Sequence, residues 1–226
     1  MDLTELYRSG HSRVSERVAA LTPTELGASV PGTPLWTVAQ VTAHLVGVAS
    51  AVVNDRLGQG VGTPQWTGDH VAQRAGQSIP EILAEWRECV AKLDPVPEAG
   101  VVRDLLIHEA DLSGALGTAD APPADAVDWV LEFALEDLGR RINDAGLGGL
   151  TVSSGSRDQL VGPAPGDGTV STTPWELFRS LAGRRSAAQV RRYRWDGDPE
   201  PYLLVWNRYG PLPVDDVAET RPAPPR

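Results

Sequence analysis

Helix-start signals recur along the first half of the chain, ahead of runs whose apolar residues have helical spacing. They pair a capping hydroxyl with a Glu or Gln three positions later: Thr22 with Glu25, Thr37 with Gln40, and Ser78 with Glu81. The apolar spacing predicts helices over residues 4–21, 37–57, 79–93 and 101–116, the last with Gly117 as its C-cap. Four helices of this length in one segment predict a helical bundle.

The sequence changes character after Gly146. A helix predicted over 124–145 closes the first domain, and beyond it glycine-rich breaks separate β-prone runs at 150–153, 159–161 and 169–172. A helix from Thr173 to Gly183 follows, and then two apolar runs at 190–195 and 202–206 on either side of an Asp196-Gly197 turn.

These signals predict an α+β chain of two domains. An up-and-down four-helix bundle is expected over residues 1–146, a small α+β domain over 147–211 and a flexible tail over 212–226. Within the bundle, the polar, glycine-containing stretch 57–77 is too long for a tight turn, so we predict that it crosses over or wraps an opening.

The charge balance and the single cysteine exclude several classes of protein. With 30 Asp and Glu against 20 Lys and Arg, the net charge of −10 argues against general nucleic-acid binding. No segment approaches the ~20 apolar residues of a membrane span, and no signal-peptide run is present, so we expect a cytoplasmic protein. The arginine-dominated basic charge indicates a GC-rich bacterial genome. Cys89, the only cysteine, excludes an internal disulfide and is predicted to be a buried core thiol.

Three residues with metal-ligand side chains lie on two of the predicted helices. His44 lies between Val41 and Val48 on the apolar face of the second helix, and Asp104 and His108 are one turn apart on the fourth. A histidine from one helix and an i,i+4 pair from another match three-ligand metal sites in helical bundles. The spacing alone leaves two alternatives: a core histidine satisfied by one partner, and a simple His–Asp pair.

The remaining polar residues of these helices have secondary roles in this hypothesis. Asp111 is the natural acceptor for the second ring N–H of His108, or a substitute ligand. Glu109 lies about 100° round the helix from His108, so we predict that it is solvated. His11 and His70 have no partner at ligand spacing and are predicted at the surface or at an end of the bundle.

Several blocks of sequence carry a resemblance to a known family. Residues 34–45, PLWTVAQVTAHL, resemble the histidine signature of the mycothiol-dependent maleylpyruvate isomerase family, part of the DinB-like four-helix superfamily. Residues 108–112, HEADL, are similar to that family's second histidine block. PWELF at 174–178 and WDGDP at 195–199 resemble its small C-terminal domain. The order and spacing of the blocks, which span most of the chain, support the resemblance.

The resemblance implies a metal and a thiol. It implies a divalent metal, usually zinc, held by His44, Asp104 and His108, with mycothiol as a co-substrate. Asp104 stands where the family has a glutamate, and its reach is shorter by about 1.5 Å, which leaves open a closer helix, a weaker site or a different metal. Three protein ligands leave a position at which the thiol can bind as a thiolate and attack a small electrophile.

The implied activity is that of a maleylpyruvate isomerase, with three alternatives: a thiol S-transferase, a non-catalytic small-molecule or metal-binding protein with a degenerate site, and metal-dependent hydrolysis. A dicarboxylate substrate needs a cationic clamp, for which the candidates are Arg184, Arg185 and Arg208, although arginines of this cluster can equally form a solvated face. The expected partners are a small-molecule substrate and the thiol, without nucleic acid or membrane, on a monomer or homodimer.

Overall fold

The chain divides into two compact units. The computed structural model describes residues 2–58, 60–118 and 122–219. Contacts group the described residues up to residue 122, together with residue 219, into a first unit and residues 123–218 into a second. The second unit begins one helix earlier than the boundary expected after residue 146, because the helix over Ala124–Asp144 packs on elements of the second unit.

The first unit consists of helices and one two-stranded ribbon. Its elements are α1 (Leu3–Ala19), α2 (Pro23–Leu26), β1 (Ser29–Val30), β2 (Thr33–Thr37), α3 (Val38–Val53), α4 (Pro64–Ala72), α5 (Ile79–Lys92) and α6 (Ala99–Leu116). The long helices α1, α3, α5 and α6 correspond to the four predicted from apolar spacing. Both α1 and α3 pack against α5 and α6, which closes the four into a bundle and confirms the predicted fold class.

The predicted capping signals form where the sequence places them. At the start of α3, the Thr37 hydroxyl accepts from the backbone N–H of Gln40, and the Gln40 side chain accepts from the backbone N–H of Thr37. Gly117 follows α6 with a φ of 63°, the left-handed conformation that glycine adopts without a steric cost. These local contacts fix the ends of the two helices that carry the candidate ligands.

The stretch 57–77 contains a helix that the sequence analysis did not predict. The hydroxyl of Thr63 accepts from the backbone N–H of Trp66, and Pro64 is the first helical residue of α4. This helix packs against α3. The predicted crossover segment therefore contributes side chains to the surroundings of the bundle's second long helix.

The interior of the bundle is centred on Trp86 of α5. Its ring is fully buried, and the indole N–H donates to the hydroxyl of Tyr7 in α1 at 3.1 Å. Cys89, one turn further along α5, is a free buried thiol, as predicted. Burial raises the pKa of this thiol, so Cys89 is a core residue and a poor nucleophile.

The second unit combines helices with a four-stranded sheet. Its elements are α7 (Ala124–Asp144), β3 (Gly149–Ser154), β4 (Arg157–Val161), β5 (Gly166–Thr172), α8 (Pro174–Leu181), α9 (Ala187–Arg191), β6 (Arg194–Asp196) and α10 (Glu200–Leu203). The strand order is β4-β3-β5-β6. The central pair β3–β5 is parallel, with Val152 opposite Val170, and the outer pairs are antiparallel.

The two apolar runs on either side of the Asp196-Gly197 turn form different elements. The first run spans the end of α9 and the short strand β6, while the second contains the helical turn α10. Prolines at 199 and 201 explain the second outcome, because a proline has no N–H to donate to a strand ladder.

Part of the predicted flexible tail is hydrogen-bonded. Ser186 donates to Asp216 at 2.5 Å, and Gln189 exchanges two hydrogen bonds with the backbone of Val217. Residues 220–226 of that tail lie outside the described residues. Across the described ranges, no helix has the length and apolar character needed to cross a membrane.

Candidate metal centre

The structure brings the three predicted ligands together inside the bundle. His44 comes from α3, and Asp104 and His108 come from successive turns of α6. The Nε2 atom of His44 lies 3.5 Å from one carboxylate oxygen of Asp104, and the Nε2 atom of His108 lies 3.6 Å from the other. One donor atom from each residue can be chosen so that all lie within 4.8 Å of one another.

Helix position explains why these side chains converge. His44 is on a turn of α3 whose neighbours Val41 and Val48 are buried, so its ring is carried into the interior and is only 2% exposed. Asp104 and His108 are four residues apart on α6, which places them on one face, and α6 packs against α3. His108 is also buried, while Asp104 keeps about a third of its side chain exposed at 32%.

The distances fit ligands around an ion better than hydrogen bonds. Hydrogen bonds from a ring N–H to a carboxylate are about 2.7–2.9 Å long, clearly shorter than the 3.5 and 3.6 Å found here. In a tetrahedral site with ligand bonds of about 2.0–2.2 Å, neighbouring donor atoms lie roughly 3.3–3.6 Å apart. Two imidazoles and a carboxylate are also ligands that zinc accepts. The residues present therefore fit the implied divalent metal.

Asp111 lies beside the ring of His108. Its carboxylate is fully buried, and one oxygen accepts a hydrogen bond from Nδ1 of His108 at 2.8 Å. With the ring proton held on Nδ1, the lone pair of His108 is on Nε2, the atom that faces Asp104. The buried carboxylate thus orients the ring and selects the tautomer that a metal ligand requires.

Aromatic and imidazole rings surround the three ligands. The ring of Trp36, from β2, lies 5.1 Å from that of His44 and 6.4 Å from that of His108, measured between centroids. His70 of α4 lies 6.0 Å from His44 on the same measure. These rings pack around the two histidine ligands, while Asp104 keeps contact with solvent.

His70 is buried, contrary to the prediction of a surface or bundle-end residue. It is 7% exposed, and its ring packs edge-on against Trp66, with 4.0 Å between the centroids. Burial and the neighbouring His44 lower the pKa of His70 to about 4, so its ring is neutral at pH 7. The prediction failed because α4 was not recognised; Thr63-Pro64 at its start and the i,i+4 spacing of Trp66 and His70 were the available signals.

Glu109 is buried, where the sequence analysis predicted solvation. Its carboxylate is 0% exposed and accepts two hydrogen bonds from the guanidinium of Arg13 in α1, at 2.6 and 2.9 Å. The prediction assumed that α6 packs on one side only. Other helices pack against α6 on more than one side, so residues outside its apolar stripe are buried as well. The pair joins α1 to α6 one residue beyond His108.

The three arginines predicted as partners of a substrate carboxylate differ in the hydrogen bonds that they form within the second unit. Arg185 is buried and donates to both carboxylate oxygens of Glu176. Arg184 donates to the backbone carbonyl of Ala182 at 2.6 Å. Arg208 is 49% exposed, and the nearest carboxylate oxygen, on Asp137, is 4.0 Å away.

Comparison with known proteins identifies similar sequences and structures. A family model described as the mycothiol maleylpyruvate isomerase N-terminal domain matches residues 7–130. Two crystal structures share the fold: the mycothiol-dependent maleylpyruvate isomerase, with 20% identity and a TM-score of 0.59, and a histidine-to-alanine mutant of it, with 18% and 0.57. Each comparison covers 80% of this chain and 88% of the other. Among curated proteins, no significant match is found.

Proposed function

This chain belongs to the mycothiol maleylpyruvate isomerase family, and on that premise we propose that it is a metal-dependent, mycothiol-using enzyme acting on a small electrophile. The observation that carries the proposal is the convergence of His44, Asp104 and His108 at spacings suited to one divalent ion. Zinc is the metal we propose, because the donor set is two imidazole nitrogens and one carboxylate.

The residues of the proposed site have different roles. Nε2 of His44, Nε2 of His108 and the Asp104 carboxylate would hold the ion, and Asp111 would keep His108 in the required tautomer. When bound, zinc lowers the pKa of a coordinating thiol from its free value of about 8.5, so that a thiolate is available at neutral pH. Trp36 covers part of the site and limits the access of water.

The reaction we propose first is isomerisation of a maleylpyruvate-like substrate. The thiol sulfur would add to the activated double bond, which becomes a single bond and rotates. Elimination of the same thiol would then restore the double bond in the other configuration, so no thiol is consumed. Transfer of the thiol to another electrophile needs only the first half of this sequence, and it is the alternative that a product analysis distinguishes.

Of the three arginines predicted as carboxylate partners, Arg208 is the one that stays most available within the second unit. Its guanidinium is half exposed and has no carboxylate within hydrogen-bond distance among the residues that the structure describes. By contrast, Arg185 already holds a bidentate bond to Glu176, which a substrate would have to displace.

The first test is metal content followed by thiol-dependent turnover. Protein purified without a histidine tag or chelator is expected to bind about one zinc per chain, and to isomerise maleylpyruvate only when mycothiol is added. His44→Ala should lose metal retention while keeping its helical circular dichroism, because the bundle core does not depend on the ion. His11→Gln, which changes a histidine outside the three ligands, is the matched control and should keep its zinc.

Two outcomes would contradict the proposal. Absence of zinc binding at micromolar concentrations would show that Asp104 marks a site that no longer works. Full zinc occupancy in His44→Ala would show that the ion is held elsewhere. A third outcome is zinc binding together with a stable thiol adduct in place of fumarylpyruvate, the isomerisation product. That result would support the metal site and would identify the activity as thiol transfer.

A further inference from the structure

A small cavity lies between α3 and α4, outside the three candidate ligands. Its volume is about 170 Å³, and the residues of its wall that matter here are Ser50, Arg56, Trp66, Asp69, His70 and Arg74. Pockets for drug-sized ligands measure about 300–1,000 Å³, so this cavity suits a smaller molecule. Its wall combines one indole ring with several polar groups, so the cavity suits a polar ligand.

The wall carries two opposite charges that do not pair with each other. Arg56 has no side-chain hydrogen bond and no ion pair with any residue in the ranges 2–58, 60–118 and 122–219. Asp69 accepts one hydrogen bond, from the amide of Gln65 at 2.7 Å, and forms no ion pair within the same ranges. A cation and an anion held apart on one wall are complementary to a ligand that carries both charges.

A tight turn holds Arg56 beside the cavity. Asp55 adopts a φ of 51°, the left-handed conformation that aspartate tolerates better than most residues. The backbone N–H of Arg56 then donates to the carbonyl of Ala51 at 2.8 Å, which folds the chain back onto the end of α3. The turn therefore places the backbone of Arg56 beside the cavity.

The other two polar residues of the wall have different roles. Arg74 is buried and fully engaged, with two bonds to Glu85 and one to the carbonyl of His70, so its charge belongs to the wall itself. His70 is 93% buried, since its exposed fraction is 7%, and its Nδ1 has no hydrogen-bond partner. That nitrogen has almost no accessible surface and packs against Gly47 of α3, so the imidazole ring is part of the wall and does not contact a ligand.

From these observations we propose that the cavity binds a small amino-acid-type zwitterion. Arg56 binds its carboxylate, Asp69 binds its ammonium group, and Trp66 packs against the aliphatic part. The site is distinct from the metal centre, because none of the three candidate ligands lines it. The inference does not depend on the proposed enzymatic function.

The test uses three probes that differ only in their charged groups: L-alanine, propionate without the ammonium, and ethylamine without the carboxylate. Binding to metal-free full-length protein is followed through the indole N–H signal of Trp66 in a ¹H–¹⁵N NMR spectrum, assigned with Trp66→Phe. L-alanine should give a saturable shift with a dissociation constant at least about tenfold lower than either analogue, since each charged hydrogen bond contributes to affinity.

Single substitutions test which residue binds each charged group of the ligand. Arg56→Gln and Asp69→Asn should each raise the dissociation constant for L-alanine about tenfold or more, and because both residues are exposed, the fold should be unaffected. Arg87→Gln removes an exposed arginine of α5 that does not line the cavity, and it should bind L-alanine like the unmodified protein. His44→Ala should also keep this binding, which separates the cavity from the metal centre.

The proposal is overturned if L-alanine gives no saturable shift, if propionate or ethylamine binds as tightly as L-alanine, or if Arg56→Gln binds like the unmodified protein. Loss of binding in His44→Ala together with retention in Arg56→Gln would place the probe at the metal ligands and would equally refute the assignment.

Discussion

His108 presents its two ring nitrogens to two different carboxylates. Nδ1 is bonded to the buried Asp111 at 2.8 Å, and Nε2 faces Asp104 at 3.6 Å. The shorter distance is that of a hydrogen bond and the longer one is that of two ligands of one ion. In the proposed metal site, Asp111 would orient the ring of His108 and Asp104 would coordinate the ion, so the two contributions are separable.

Asp111→Asn tests the orienting contribution. The amide can still accept a hydrogen bond but lacks the charge that fixes the ring proton on Nδ1, so zinc affinity should fall about 10–100-fold. A competitive titration against a chromophoric chelator measures this change. Asp128→Asn, an exposed aspartate of α7, is the control and should bind zinc normally. Unchanged affinity in Asp111→Asn would show that His108 needs no such partner.

Asp104→Glu tests whether aspartate weakens the site. The Asp104 oxygens already lie at ligand spacing from both histidines, so the reach that was in question from the sequence is sufficient. An added methylene would push the carboxylate out of place, and misfits of this size cost about 1–3 kcal/mol. We expect zinc affinity to fall about tenfold, in the same titration. An equal or higher affinity would show that the site prefers the family's glutamate.

The candidate ligands were predictable at this scale, and some of their neighbours were not. His44, Asp104 and His108 could be found because ligand type and i,i+4 spacing are written directly in the sequence. The burial of Glu109 could not, because it depends on Arg13, which is 96 positions away and reaches it only in the folded bundle. Long-range partners of this kind leave no local pattern.

Among the helices, α3 and α4 show how one glycine can set the distance between two elements. Gly47 of α3 lies directly under His70 of α4: a Cβ atom added at position 47 would be 2.4 Å from both Cβ and Cγ of His70. Atoms so close to the backbone of α4 cannot move aside by a change of rotamer. The contact therefore requires glycine in the middle of a helix, where glycine is otherwise unfavourable.

Gly47→Ala should destabilise the protein although alanine is the better helix former. Propensity favours alanine by about 1 kcal/mol, whereas the clash with His70 forces α4 to shift, at about 1–3 kcal/mol. Urea unfolding should show a net loss of stability. Gly68→Ala, in α4 itself, is the matched control: nothing lies within 4 Å of its added Cβ, so it should stabilise. A more stable Gly47→Ala protein would contradict the packing argument.

The elements that could be predicted are those with strong local signals. The four long helices have capping residues and sustained apolar spacing, and their predicted limits lie within a few residues of the observed ones. The helix α4 was missed because nine residues in a glycine-containing segment give little periodicity. The run at 202–206 has strand-like composition, but its flanking prolines favour a helical turn.

For the molecule as a whole, acid is expected to reduce stability, and His11 is one cause. Its ring packs edge-on against the buried Trp86, and burial, followed by the charge of Arg87, lowers the pKa of His11 below 6.5. The unfolded chain therefore binds a proton before the folded chain does as the pH falls. The free energy of unfolding should be highest above pH 6.5 and decrease below it, until folded His11 is also protonated.

Urea unfolding at a series of pH values checks this prediction. His11→Gln should show a shallower loss of stability between pH 7.5 and 5.5 than the unmodified protein, while Arg140→Gln, an exposed control far along the chain, should not change the slope. Parallel curves for His11→Gln and the unmodified protein would show that His11 titrates alike in both states.

The candidate ligands come from helices well separated along the chain, since Asp104 follows His44 by 60 positions. An ion shared between them would be a reversible cross-link that closes a loop containing α4 and α5. Separation of the two ends of this segment, at α3 and α6, would then require release of the ion. Its local opening would be coupled to the free metal concentration, and the rate at which its backbone amides exchange with solvent would report how much of that metal the surroundings supply.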